Sequence, residues 1–163
     1  MQCHLQIMAC EDMLTSRCWA LLDVEFITTS SIHRCVRKLY ILDKNGYTEM
    51  EMEFYPCRQY EQLQLKYQRS FRYCKEKIHK LTYNPKRFTL LCSQALAKLN
   101  EFIVYNDITL ILYKGGTIEK DLCKKLDIDC LNIECFPELQ KASSHDPCQE
   151  VQCYYHQLKK ILH

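Results

Sequence analysis

The chain has 163 residues, 47% of them hydrophobic, and a formal net charge of +2. That is the size of one ordinary domain with enough apolar material for a core, and its charge is too small for a whole-protein field to draw in nucleic acid or an acidic membrane. No stretch approaches the ~20 apolar residues of a membrane span, and Met1-Gln2-Cys3-His4-Leu5 lacks the basic region and apolar run of a signal peptide, so the expectation is an intracellular protein of the cytoplasm or nucleus.

A short N-terminal tail, residues 1–17, is expected to precede one domain over residues 18–163. Residues 18–26 read as a strand buried on much of both faces, with Leu21, Asp23 and Glu25 on one side and Ala20, Leu22, Val24 and Phe26 on the other. Residues 36–42 form a second strand. A third runs over residues 47–55, where Met50, Met52 and Phe54 alternate with Glu49, Glu51 and Glu53. Asn45-Gly46 between them is a strong hairpin signal.

The period then changes. Tyr60, Leu63, Tyr67, Phe71, Cys74, Ile78 and Leu81 are spaced by three or four, a helical stripe. Asn84-Pro85 ends it and opens another helix, which presents Phe88, Leu91, Ala95, Leu99 and Phe102. Residues 107–113 are a buried strand ending at Gly115-Gly116, followed by a short helix over residues 118–126 and a last strand over residues 130–136. Asp146-Pro147 starts a final helix with the stripe Val151, Tyr155, Leu158 and Leu162. The order implies an α/β fold: three antiparallel strands, then parallel β-α units, in a mixed sheet flanked by helices.

Three patches carry acids or imidazole where structure alone does not ask for them. In Asp23-Val24-Glu25 two carboxylates point the same way from an apolar strand. Burying unpaired charge costs several kcal/mol, as an order of magnitude, unless a cation compensates it, and a divalent metal does so with oxygen ligands. Taken alone, an Asp-x-Glu is more often a half-exposed strand end. The second patch, residues 113–119, follows the C-terminal edge of a buried strand, where open α/β sheets place their ligands. There Gly115 and Gly116 permit close approach or positive φ, Lys114 offers a point charge to a phosphate, and Glu119 opens a helix, where it also complements the dipole. In the third, His145-Asp146-Pro147-Cys148-Gln149-Glu150, Asp146 and Gln149 fit a capping box. The cap does not account for His145 or Glu150.

In this order and on these elements the patches resemble the DEDDh branch of the 3′–5′ exonucleases, an RNase H-like family. Its first strand carries Asp-x-Glu, matched by Asp23-Val24-Glu25 with Thr28-Thr29 just after. Its His-Asn-Ala-x-Phe-Asp turn is similar to residues 112–119, with Glu119 at the acid and Lys114-Gly115 in place of His-Asn. Its His-x-x-x-x-Asp is matched by His145 and Glu150. Ile78-His79-Lys80-Leu81-Thr82 is similar to a His-Gly-Ile-Thr segment of many members. The resemblance spans residues 18–163 and implies a two-metal site for Mg²⁺ or Mn²⁺, with ions ~4 Å apart clamping a scissile phosphate. It implies Asp23, Glu25, Glu119 and Glu150 as ligands, His145 as general base, and Lys114, Gly115 and Gly116 beside the substrate, the 3′ end of single-stranded DNA or RNA. Two family aspartates are glutamates here, at 119 and 150. Since ~1 Å of misplacement costs ~100-fold in rate, these two separate a working nuclease from its rival, a catalytically weakened RNase H-like scaffold that binds nucleic acid or a protein partner.

The twelve cysteines include no Cys-x-x-Cys pair and fall in periodic segments, so they read as reduced core residues. The best zinc cluster, Cys148, Cys153 and His156, is weak: on one helix its outer members stand about 12 Å apart along the axis. The tyrosines from 60 to 73, with Arg58, Lys66, Arg69 and Arg72, read as core beside a solvated basic face in preference to a base-stacking platform.

Overall fold

Trp19 to Val24 are almost entirely buried on both sides apart from Asp23, which fits the apolar run of the sequence and puts this strand at the centre of a sheet. A computed structural model describes residues 2–28, 34–54, 63–73, 89–90 and 92–162. Its elements in chain order are α1 (Gln2–Ser16), β1 (Trp19–Thr28), β2 (Arg34–Asp43), β3 (Glu49–Phe54), α2 (Leu65–Tyr73), β4 (Thr89–Leu90), α3 (Cys92–Tyr105), β5 (Leu110–Tyr113), α4 (Thr117–Lys125), β6 (Asp129–Asn132) and α5 (Pro147–Ile161), with a 3-10 turn at Ile133–Cys135. The sheet order is β4-β3-β2-β1-β5-β6. β2 runs antiparallel to its neighbours β1 and β3, whereas β5 runs parallel to β1 and β6 parallel to β5. The expected mixed sheet flanked by helices is therefore present.

Alternation along β1 sorts the core into two layers. Ala20, Leu22 and Val24 join Leu39, Ile41 and Ile111 under Leu99 and Ile103 of α3 and Cys123 of α4. Trp19 and Leu21 join Tyr40, Leu42, Leu110 and Leu112 under Cys10 and Leu14 of α1 and Val151, Tyr154 and Leu158 of α5. Asp23 and Glu25 belong to this second face, the one α5 covers.

The segment expected as a tail is a helix instead. Leu14 is fully buried, its carbonyl accepts the Trp19 indole N–H at 3.0 Å, and the Cys135 thiol donates to Cys10 Sγ at 3.4 Å. Tertiary packing rather than an amphipathic stripe holds such a helix, which is why periodicity does not announce it. Burial, and then the bond to Cys10, push the Cys135 thiol up to about 12.

Other boundaries move for local reasons. The hairpin stands where Asn45-Gly46 puts it, but four residues separate its closing pair, Asp43 and Thr48; Gly46 N–H closes on Asp43 O at 3.0 Å. Gly46 has φ +77°, and a Cβ there would lie 2.7 Å from Tyr155 Oη of α5, so glycine is required twice over. Thr89–Leu90, expected in a helix, pairs in parallel with β3, and α3 begins only at Cys92. Asp107 and Asp127, both at φ +53°, close α3 and α4 before Ile108 and Ile128 turn into the core side. β5 thus starts at Leu110 rather than 107. β6 stops at Asn132, whose side chain accepts Glu134 N–H and begins the 3-10 turn where more strand was expected. Of the long stripe from Tyr60, Leu63 is buried and Tyr67 packs beside it against Ile27; Tyr60, Arg58, residues 74–88 and Leu91 lie outside the described residues. Among those residues no helix is long and apolar enough to cross a membrane.

If α1 is part of the core, truncating its buried leucine has a core-sized effect. Leu14→Ala should lower stability by about 2–5 kcal/mol in urea unfolding; a change within ~0.5 kcal/mol is what a surface tail would give.

Candidate metal centre

β1 is longer than its parallel neighbour. Pairing with β5 covers Trp19 to Leu21, so Asp23 and Glu25 stand beyond the C-terminal end of β5, at the place where the chain passes from one side of β1 to the other. Such crevices are where open α/β sheets bind ligands. A register shift between Glu25 and Phe26 interrupts the pairing with β2, which resumes at Phe26 and Val36; bulges of this kind often adjoin functional sites.

Glu150 reaches this spot from the first turns of α5. The helix begins where Asp146 Oδ2 accepts Gln149 N–H at 3.3 Å and Pro147 takes the first position. Val151, fully buried one residue further on, seats that turn on the sheet. The result is a trio in which ligand atoms of Asp23, Glu25 and Glu150 all lie within 4.8 Å of one another. Glu119, 4% exposed, comes from the first turn of α4. Its Oε1 accepts Val24 N–H at 3.3 Å, beyond the reach of β5. It stands next to the trio rather than inside it.

Electrostatics decide the state of the cluster. Two unit charges ~4.8 Å apart repel by about 3 kcal/mol at an effective dielectric near 20. Three such pairs approach about 10 kcal/mol, as much as the whole stability of a domain. The trio cannot be fully ionised alone. Burial, the hydrogen bond to Glu150, and the charges of Glu150, Glu25 and Glu119 hold the Asp23 carboxyl far above its usual range. Burial also raises Glu150, while the bond from Asp23 and the nearby His145 oppose it. Without a cation, then, the hydrogen-bonded pair of Asp23 and Glu150 favours keeping a proton. Even so, Asp23 Oδ2 and Glu119 Oε2 are buried without a hydrogen-bond partner, a cost of about 1–3 kcal/mol each. The trio offers hard oxygen donors of the kind that hold a divalent metal ion.

The remaining expected residues fall around this centre in different ways. His145 is exposed and precedes the α5 cap, close enough to favour the charged form of Glu150. Lys114 is half-buried with its ammonium 5.3 Å from the centre of the Tyr154 ring. Gly115, at φ +97°, exchanges hydrogen bonds with the Asn132 side chain, so this glycine serves the turn. Gly116 caps α4, and a Cβ there would meet nothing within 4 Å. Cys148, Cys153 and His156 all lie on α5. Among the described residues, seven cysteines are free thiols, Cys148 and Cys153 included.

Sequence reasoning missed one charged group at the edge of the site. Lys38, 7% exposed on β2, pairs with Asp146 Oδ1 at 2.7 Å and Glu51 Oε1 at 2.8 Å. Burial opposes its charge, but the bonds to Asp146 and Glu51 outweigh it and raise its pKa. The available signal was a lysine inside an apolar strand facing Glu49-x-Glu51-x-Glu53 across the hairpin.

No protein-family model matches the chain, and no curated protein matches it.

The pH dependence of the metal-free protein tests the burial of Glu119. Burial, with the charges of Glu25 and Glu150, lifts this group from its ordinary 4.5 to about 7 against its backbone hydrogen bonds. Below pH 4.5 it is protonated folded or unfolded. Between 4.5 and 7 the unfolded chain loses the proton first, so stability falls as pH rises, by on the order of 1–3 kcal/mol. Urea unfolding in EDTA should show that fall, reduced across this window in Glu119→Gln. Identical profiles for the two proteins contradict the assignment.

Proposed function

We propose that the chain is an RNase H-like, DEDDh-type 3′–5′ exonuclease that hydrolyses phosphodiester bonds at the ends of single-stranded DNA or RNA with Mg²⁺ or Mn²⁺. The observation that carries this reading is the convergence of Asp23, Glu25 and Glu150, with Glu119 beside them, from three distant parts of the chain. The sheet supports it as well: three antiparallel strands, then β5 and β6 added in parallel beyond β1, follow the order expected of that architecture.

In this reading Asp23, Glu25 and Glu150 are the ligands nearest the ion, and Glu119 completes the acidic wall while bracing β1 through Val24 N–H. A divalent ion held by these carboxylates would offset their charge and would supply Lewis-acid chemistry for phosphodiester hydrolysis. His145, exposed beside Glu150, would serve as the general base at its imidazole. Lys114, held over Tyr154, supplies a point charge toward the phosphate. The same geometry keeps a second reading in play. Glu119 lies outside the tight trio, an arrangement that suits a weakened scaffold binding nucleic acid or a protein partner.

Incubation with a 5′-labelled single strand separates the two. The protein should shorten the strand from its 3′ end with Mg²⁺ or Mn²⁺ and not in EDTA, and Asp23→Asn should slow this ~100-fold or more while remaining folded. Shortening that survives EDTA or Asp23→Asn overturns the nuclease reading; no shortening with retained strand binding favours the scaffold.

A further inference from the structure

Lys38 lies opposite Glu25 in the β1–β2 register and opposite Glu53 in the β2–β3 register. Tyr40 and Leu42 follow it on the α5-covered face, and alternation puts Lys38 on that face too. Its ammonium reaches Asp146, the residue that caps α5. Asp146 divides its carboxylate between two tasks. Oδ2 accepts the Gln149 N–H of the helix, and Oδ1 accepts from Lys38 of the sheet. Its backbone is held as well, with N–H donated to Ser144 Oγ at 3.1 Å and O accepting Glu150 N–H at 2.9 Å. His145 is the residue before this joint, and Glu150 is one helical turn after it on the same face.

We propose that Lys38 is a positioning residue which, by gripping the N-cap of α5, sets where Glu150 and His145 stand against Asp23 and Glu25. The inference rests on the metal-site reading above and adds a residue to it. Folding alone does not call for the ion pair. Pro147, Val151, Tyr154 and Leu158 already bury α5, and the cap needs only Oδ2. Replacing a buried pair by apolar groups is often neutral or stabilising, whereas a fixed pair specifies geometry. Here it fixes the helix end that carries a ligand, where ~1 Å matters.

Charge and position predict opposite signs, and that makes the test sharp. Lys38→Met removes a cation near an acidic site, so charge alone tightens Mn²⁺ binding; lost positioning loosens it. Asp146→Asn keeps a good cap but gives up the ion pair, and the double variant restores net charge while leaving the grip broken. Calorimetric titration should show Mn²⁺ bound ~10-fold or more weakly by Lys38→Met, and the double variant should be no weaker than the worse single one. In metal-free protein, amide exchange should quicken at Gln149 to Val151 and not at Leu158. Tighter or unchanged Mn²⁺ binding by Lys38→Met, or by the double variant if the single one does not fold, overturns the proposal. If the parent binds no Mn²⁺ the metal reading fails, and the exchange result alone decides whether Lys38 grips the helix end: faster exchange upholds the grip, unchanged exchange refutes it.

Discussion

Like charges held close in a partly dry place are the constraint to which the rest of this molecule answers. Asp23, Glu25 and Glu150 bring ligand atoms within 4.8 Å of one another, with Glu119 buried alongside. At an effective dielectric near 20 the repulsion of the three charges rivals a domain's entire stability. A chain selected for stability alone has no reason to assemble them. Either a proton or a cation must share the site, and the orphaned oxygens of Asp23 and Glu119 show that the proton alone leaves it unsatisfied.

The sheet makes this assembly possible by leaving β1 uncovered past Leu21 on its β5 side. A strand paired along its whole length offers no free N–H; Val24 has one, and Glu119 takes it. The same shortness of β5 opens room for the loop at Gly115 and Gly116, tied off by Asn132. On the α5 side the apolar layer of Trp19, Leu21, Tyr40 and Leu42 gives way to Asp23, Glu25 and Lys38 toward the end of β1. The helix follows that change, burying Val151 and Leu158 while its first turn carries the polar residues. Core and site are two stretches of one interface.

How much of this could be read from the chain depends on how local the cause is. Alternation in residues 19–24 and 49–53, the Asn45-Gly46 turn, and the Asp146-Pro147 cap act within a few residues, so the corresponding elements stand where they were expected. The segment before Trp19 is helical because Leu14 and Cys10 find partners far away in sequence, and no short window contains that information. Thr89–Leu90 is a strand because β3 offers it an edge. Among the acids, Asp-x-Glu on a buried strand signals by itself. Glu150 gains its meaning only when α5 docks, and Lys38 only when Asp146 is beside it. The helical stripe through Ile78 and the Asn84-Pro85 break fall outside the described residues.

Metal-dependent stabilisation tests the central claim, that the acidic cluster is completed by a divalent cation. Thermal unfolding at pH 8 should be followed in EDTA and in increasing Mn²⁺ for the parent and for Asp23→Asn. Ligand at ~100 times its Kd adds about 2.7 kcal/mol, or roughly 5–10 °C for a chain of this size. The account predicts that rise for the parent and little or none for Asp23→Asn. A parent whose melting is indifferent to Mn²⁺, or an Asp23→Asn protein stabilised equally, contradicts it.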